Sequence, residues 1–489
     1  MQTATSIQGA FGGGASDTVM HPVVAVAMVV AILCIIWLPR KYAIVPFLLA
    51  IFLLPVGQQW YLGGVHLYVP RIIILFGLAR LATAKLKSNS RVLPGGWNDL
   101  DKIFTCWATL RSLAVILLNR GETGALVNQA AFLLDALGSY YFLRFLIRDT
   151  EDIKRSIKTF AIIVGILGCT MLVERFRGLN VFGYLGSVPL MSVARVDKIR
   201  AQGPFEQSIL AGSFAATLLP FFLWLWQSKR SRLLAWIGIA GCTAMVFSCS
   251  SATPLMTYLF VFVGLAFWPL RGKMKKVRWV FLAMLVALAL VMKAPVWYLI
   301  ARVDIISGNS GYHRAELLDT FFRHFSDWWL IGSNQQGAWG FEMNDLCEQW
   351  VAEGGVGGLA TLACFIFLIV RGFSKLGKAR KSLVRDPKRE WMLWLIGVAL
   401  FAHCVGFFGI SYFDQTRFAW YALFAIISAA TLPKAAISKM PKRSINKSEE
   451  HEYEEQEALV PMNAFEAVPI RPPALQAEFF IAPRARAGA

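Results

Sequence analysis

An all-α, polytopic bundle of about 12 to 13 membrane-spanning helices is the fold class that the sequence predicts, and three observations predict it. The 489 residues are 56% hydrophobic and only 16% charged, with a mean hydropathy of +0.53, which is too apolar for a water-soluble chain of this length. About thirteen segments approach the roughly 17 to 25 apolar residues that a hydrocarbon core of about 30 Å requires. Lys and Arg recur in every second connection between these segments, the alternation that the positive-inside rule demands.

The segments begin near Val23, Tyr42, Leu67, Lys102, Leu126, Ile157, Ile209, Leu233, Pro254, Val277, Trp350, Trp391 and Phe418. No basic stretch precedes the first and no small-residue cleavage pattern follows Leu38, so it reads as a span and not as a secretory signal. Tyr42 to Val56 and Leu233 to Phe247 are short, which leaves a re-entrant path open for them. The basic connections hold Arg40 and Lys41; Lys85, Lys87 and Arg91; Lys154, Arg155 and Lys158; Lys229, Arg230 and Arg232; Arg271, Lys273, Lys275 and Lys276; and Arg371, Lys375, Lys378, Arg380 and Lys381. The parity puts the N-terminus outside and the C-terminus inside. In a bacterial inner membrane that means a periplasmic N-terminus and a cytoplasmic C-terminus. The net charge of +19 then reflects topology and not affinity for nucleic acid.

All eight cysteines lie in or beside apolar runs, without the spacing of a disulfide framework or a zinc site. Buried, inert thiols are expected, with no metal and no cofactor. Two outside connections are long, near 174–208 and 293–349, and their Trp, Phe and Gly content with amphipathic patterning predicts order. The membrane domain extends over 1–433. Beyond it, 434–489 carries a basic stretch, an acidic run from Glu449 to Glu457 and a Pro- and Ala-rich end, the composition of a disordered cytoplasmic tail.

Candidate chemistry gathers in the two long connections. The first ends in Arg195, Asp197, Lys198 and Arg200, followed by Ala201-Gln202-Gly203-Pro204-Phe205-Glu206-Gln207-Ser208. Guanidinium groups at the mouth of a bundle suit phosphate or diphosphate oxygens, or else form an interfacial patch against lipid headgroups. The second contains Tyr312-His313-Arg314-Ala315-Glu316, with Leu317, Leu318, Phe321, Phe322 and Phe325 at helical spacing and then Trp328 and Trp329. An amphipathic helix along the outer surface is expected there, its aromatic face capping the bundle. Arg314 and Glu316 fall off that face and are the functional candidates. Farther on, Asp345, Glu348 and Glu353 enter a span rich in small residues. A half-buried carboxylate there can act as general base toward a sugar hydroxyl, or simply answer the helix dipole. Inside the spans lie Arg71, Arg80, Arg111, Asp135 and Arg144. Arg111 and Asp135 are expected to form an ion pair ordering two helices, and Arg71, close to the outer face, to join an anion site. His313, His324 and His403 read as satisfied polar groups.

The order of these features resembles the O-antigen ligase and polysaccharide polymerase family of bacterial membrane proteins, from about Val23 to Leu432. The carrying pieces are Arg200 to Phe205 before a Pro-terminated span, His313-Arg314 with its aromatic helix and Leu330-Ile331-Gly332, and Asn344-Asp345 to Gly358. The resemblance implies a metal-independent, GT-C-like glycosyltransferase that moves glycan from an undecaprenyl diphosphate carrier to a glycan acceptor on the periplasmic face. By motif position Arg200 and Arg314 hold the diphosphate, with Arg195 and Arg71 beside them. Asp345, Glu348 and Glu316 are the candidate catalytic carboxylates. Asn344-Asp345 stands where ligases have a His-Asn pair, and Gln207-Ser208 where some relatives have His-Pro, which favours a polymerase or a divergent exopolysaccharide role over a ligase and leaves the base open among those carboxylates. Membrane lipids and polysaccharide export or chain-length proteins are the other implied partners. The alternatives are a flippase for lipid-linked glycans and a non-catalytic subunit of an export complex.

Overall fold

In the computed structural model, residues 18–62, 65–87, 92–195, 198–302, 310–340, 342–383 and 386–432 are described. The expected tail at 434–489 lies outside them, as do Asp197 and the side chain of Arg195. A helix covers each of the thirteen expected segments: α1 (Pro22–Trp37), α2 (Arg40–Leu53), α3 (Val69–Lys87), α4 (Asp99–Leu118), α5 (Thr123–Leu133) continued through a π turn into α6 (Ser139–Leu146), and α7 (Thr150–Arg177). The order goes on with α8 (Ser208–Trp226), α9 (Arg232–Ser248), α10 (Ala252–Ala266), α11 (Met274–Val291), the loop helix α12 (Ser310–Arg323), α13 (Gln349–Lys381), α14 (Pro387–Gly406) and α15 (Thr416–Ala430).

Among the described residues, four helical stretches are long and apolar enough to cross a membrane: α7, α8, α13, and α9 with the turn before it. α1, α10 and α15 are shorter apolar helices. Large apolar side chains are exposed on the outer faces of these elements, as with Val26, Val30 and Leu33 on α1 and Ile366, Phe367 and Val370 on α13. In water such a perimeter would be an aggregation surface; in hydrocarbon it is the face the solvent prefers. None of the residues of α11 is buried. Beyond Arg278 its residues are all apolar, and its 18 residues give roughly 27 Å of rise.

Connections fall at two rims. At the basic rim, Arg40 joins Asp152 at 2.8 Å, Arg80 donates to the Ile35 and Leu38 carbonyls, and Arg148 donates to Val92 O at 3.2 Å. The Ile35 and Leu38 carbonyls lie at the C-terminus of α1, where helical donors run out, so Arg80 caps that helix end. Near the same rim, Arg144 and Asp101 form a fully buried pair at 2.9 Å, joined by the Tyr140 hydroxyl at 2.6 Å from Asp101. At the opposite, loop-bearing rim, the antiparallel hairpin Gln59–Leu62/Val65–Tyr68 bridges to Val19. There Gln415 donates to the carbonyls of Leu54 and Pro204 at 3.1 and 3.2 Å, so that three connections share one side chain.

Close helix packing uses small residues. A Cβ on Gly168 of α7 would lie 2.8 Å from the Gly241 Cα of α9, so both backbones approach as bulkier residues would forbid. α13 is broken at Gly358, whose φ of 75° needs glycine. The segment before it docks in the break: Trp329 O accepts from Leu359 N, and Ser333 N donates to Gly355 O, both at 2.8 Å. Backbone groups freed by the break are thus re-paired within protein, as the hydrocarbon layer demands.

Several expectations are corrected. Arg111 and Asp135 do not pair: Asp135 meets Arg71 at 3.3 Å and Arg417 at 3.1 Å, while Arg111 faces Glu353 at 3.7 Å. The reason is packing order, since α13 lies against α4 and the π turn carrying Asp135 lies against α3. The cysteines are not uniformly buried, because Cys106 and Cys169 are exposed on the bundle surface. The amphipathic loop helix ends at Arg323. It buries Leu317, Leu318 and Phe321 with Trp328 and Val351 in a separate small core and leaves Phe322 and Phe325 outside.

Candidate functional site

Just inside the loop-bearing rim a cavity of about 110 Å³ is lined by Arg111, Arg417, Glu353, Gln349 and a ring of aromatics that includes Trp107, Phe132, Tyr412 and Trp420. Arg111 lies seven residues before the end of α4, hence roughly 10 Å below that rim. A cation at that depth is costly unless paired, and each guanidinium here has a carboxylate. Arg417, in the first turn of α15, and Arg71, in the first turn of α3, converge on Asp135. Asp135 is the second residue of the π turn Leu134–Gly138, an element frequent at functional sites.

Glu353 is held from three sides. The Trp107 indole donates to Oε2 at 2.9 Å, the Gln349 amide to Oε1 at 2.7 Å, and Arg111 stands at 3.7 Å. Gln349 in turn accepts the Tyr412 backbone N–H at 2.7 Å, and the Tyr412 hydroxyl lies 2.9 Å from His403 Nδ1. Asp414, in the turn before α15, accepts from Thr416 N at 2.8 Å and Glu206 N at 3.3 Å. Burial pushes its carboxyl above the ordinary range, against those donors and Arg417.

The residues singled out from sequence scatter around this cavity. Arg71 reaches it through Asp135. Arg314 and Glu348 are brought together beside the start of α13, where the Arg314 charge acts on Glu348. Glu348 is fully buried, and neither carboxylate oxygen has a hydrogen-bond partner among the described residues. Burial holds its carboxyl well above the usual range, with Arg314 opposing. Asp345 is exposed on the turn just before, and Glu316 is exposed near Tyr298. Arg195 sits in a small ribbon, Ala194–Arg195 against Lys198–Ile199. Arg200 follows the ribbon, its charge felt by Cys249 at the end of α9. Among the described residues, neither Arg200 nor Arg314 lines the cavity. Reasoning from sequence missed Arg417, Gln349 and Tyr412. Their only linear signal is Asp414-Gln415-Thr416-Arg417 at the head of an apolar run.

Among the described residues no group of three or more His, Cys, Asp or Glu is placed to hold a metal ion. The cavity sets two guanidinium groups, each paired with a carboxylate, beside a wall of aromatic rings. The fold and this site define a helical, membrane-embedded protein with a polar interior at one rim. No protein-family model matches the chain, and no curated protein matches it either.

Proposed function

We propose that the protein is a GT-C-like, metal-independent glycosyltransferase of the polysaccharide polymerase or O-antigen ligase kind, acting on undecaprenyl-diphosphate-linked glycan. In this reading thirteen helices cross the bacterial inner membrane, with the loop-bearing rim in the periplasm and the basic rim in the cytoplasm. The observation that carries it is the cavity where Arg111, Arg417 and, through Asp135, Arg71 meet beneath that rim, walled by aromatic rings. Departure of a lipid diphosphate leaves negative charge, which fixed guanidinium groups in a low-dielectric site stabilise. Arg314 and Arg200, placed by motif, then serve the entrance or a second phosphate. Glu353 is tied on both oxygens and acts as the counter-ion that positions Arg111, whereas Glu348, whose oxygens have no hydrogen-bond partner among the described residues, is fully buried outside the cavity lining and serves proton transfer only where an acceptor hydroxyl reaches it.

The test is turnover of a purified lipid-linked oligosaccharide by the reconstituted protein, with product length as the readout. Arg417→Ala and Arg111→Ala should each abolish elongation at unchanged protein abundance. Arg200→Ala and Arg314→Ala should do the same if those side chains serve the diphosphate. Normal product with the cavity arginines removed would reject the assignment.

The break in α13 supports a second reading, a transporter of lipid-linked glycan, because Gly-interrupted helices beside intramembrane ion pairs also describe transporters. Movement of labelled lipid-linked glycan across vesicle membranes without elongation would favour it.

A further inference from the structure

The turn at 412–417 forms one lip of the cavity at the loop-bearing rim, since Tyr412, Phe413 and Arg417 all line it. The segment 202–206 is docked on that lip. Gln415 donates to Pro204 O at 3.2 Å, and the Glu206 N–H donates to Asp414 Oδ2 at 3.3 Å. Gln202, whose own N–H donates to Glu174 at 2.9 Å, reaches Phe205 O with its amide at 3.0 Å. Glu206 is thus fixed through its main chain, while the residue as a whole stays exposed.

Other carboxylates around the cavity are engaged. Glu353 is tied by Trp107, Gln349 and Arg111, Asp135 by Arg71 and Arg417, and Asp414 by the N–H groups of Thr416 and Glu206. Glu348 is fully buried and does not line the cavity. Glu206 differs on each count. It is open to water, and its charge and that of Arg417 act on each other. Desolvation on the lip and then the charge of Asp414 raise its carboxyl above the ordinary range, with Arg417 opposing. A carboxylate made more basic in this way suits proton abstraction near neutral pH, and contact with water lets it release the proton after each turnover.

We propose that Glu206 is the general base of the transferase, taking the proton of the acceptor hydroxyl at the mouth of the cavity. The role rests on the glycosyl transfer proposed above. As the acceptor oxygen bonds to the anomeric carbon of the donor sugar, its O–H bond breaks and the proton passes to the Glu206 carboxylate. The bond from that carbon to the diphosphate breaks in the same step, and its electron pair leaves with the diphosphate, whose added charge falls to Arg111 and Arg417. Asp414 is a positioning residue that holds the Glu206 main chain and strengthens the base by its charge.

The test follows elongation of a purified lipid-linked oligosaccharide by the reconstituted full-length protein across a pH series. Glu206→Gln should lower kcat by about a hundredfold or more, as loss of a general base does, at an unchanged thermal midpoint. Glu206→Asp should restore part of the rate. Glu122→Gln, exposed in the connection between α4 and α5, should leave it unchanged. Wild-type kcat/KM should fall toward acid pH, and Asp414→Asn should move that limb to lower pH, because a like charge beside the base is gone. Wild-type elongation that survives Glu206→Gln within about threefold would overturn the inference and leave the transferase reading standing. An acid limb that Asp414→Asn leaves in place would do the same. No elongation by the wild type would reject the transferase reading itself, and the base with it.

Discussion

The Glu353 carboxylate accepts the indole N–H of Trp107 at 2.9 Å across 246 positions of sequence, fastening α13 to α4 at the wall of the cavity. Replacing it with Leu strands the Trp107 indole, the Gln349 amide and Arg111 at once. Breaking a buried pair in this way costs about 3–5 kcal/mol. Glu353→Gln keeps an acceptor for the indole and should cost clearly less. Thermal midpoints of the two variants in one detergent decide the matter, and equal losses would mean that the carboxylate is not the fastening group.

The fully buried Asp101–Arg144 pair gives a second expectation. Asp101→Leu alone should destabilise by about 3–5 kcal/mol, since it leaves Arg144 charged and unpaired, whereas Asp101→Leu with Arg144→Met should recover much of the loss. A double-mutant cycle on unfolding midpoints reads the coupling. Additive effects would contradict the geometry.

Gly358→Ala sets a Cβ 2.5 Å from the Leu330 carbonyl oxygen at a positive φ. The strain alone is about 1–2 kcal/mol, and the clash adds to it by pushing the docked segment out of the break. Gly377, on the same helix with open space around its Cα, serves as control; Gly377→Ala should be neutral or gain up to about 1 kcal/mol. Folded yield and midpoint of the pair provide the comparison.

Glu348 predicts a pH dependence. Burial raises its folded-state pKa above the unfolded value, so over that interval the folded chain binds more protons than the unfolded one. Its contribution is fully present below the ordinary glutamate range near 4.3 and is lost as pH rises through the raised folded value. Glu348→Gln should therefore flatten the decline of stability with rising pH above that range. A variant whose midpoint falls as steeply as wild type would remove Glu348 as the source.

How much of this was legible beforehand follows from the range of each interaction. Helix positions could be read because they depend on runs of apolar residues, and each expected segment carries a helix even where α5 passes through a π turn. Arg111 and Asp135 were recognisable as intramembrane charges, but their pairing was not. A charge in a span announces that it needs a partner without naming which neighbouring helix will supply it. The small core under α12 was half visible, since period 3.6 marks Leu317 and Phe321 but cannot say that Phe322 stays outside.

What the sequence by itself determined is the helical, membrane-embedded class, the order of helices and the segregation of Lys and Arg into alternate connections. These follow from hydropathy and charge summed over neighbouring residues. Only the tertiary structure decided that Arg71, Arg111 and Arg417 meet around Asp135 and Glu353, and that the Trp329–Ser333 segment fills the break at Gly358. Those contacts join residues tens to hundreds of positions apart. Which helix faces which is settled by side-chain and backbone fit across the bundle, and that fit leaves no local pattern to read.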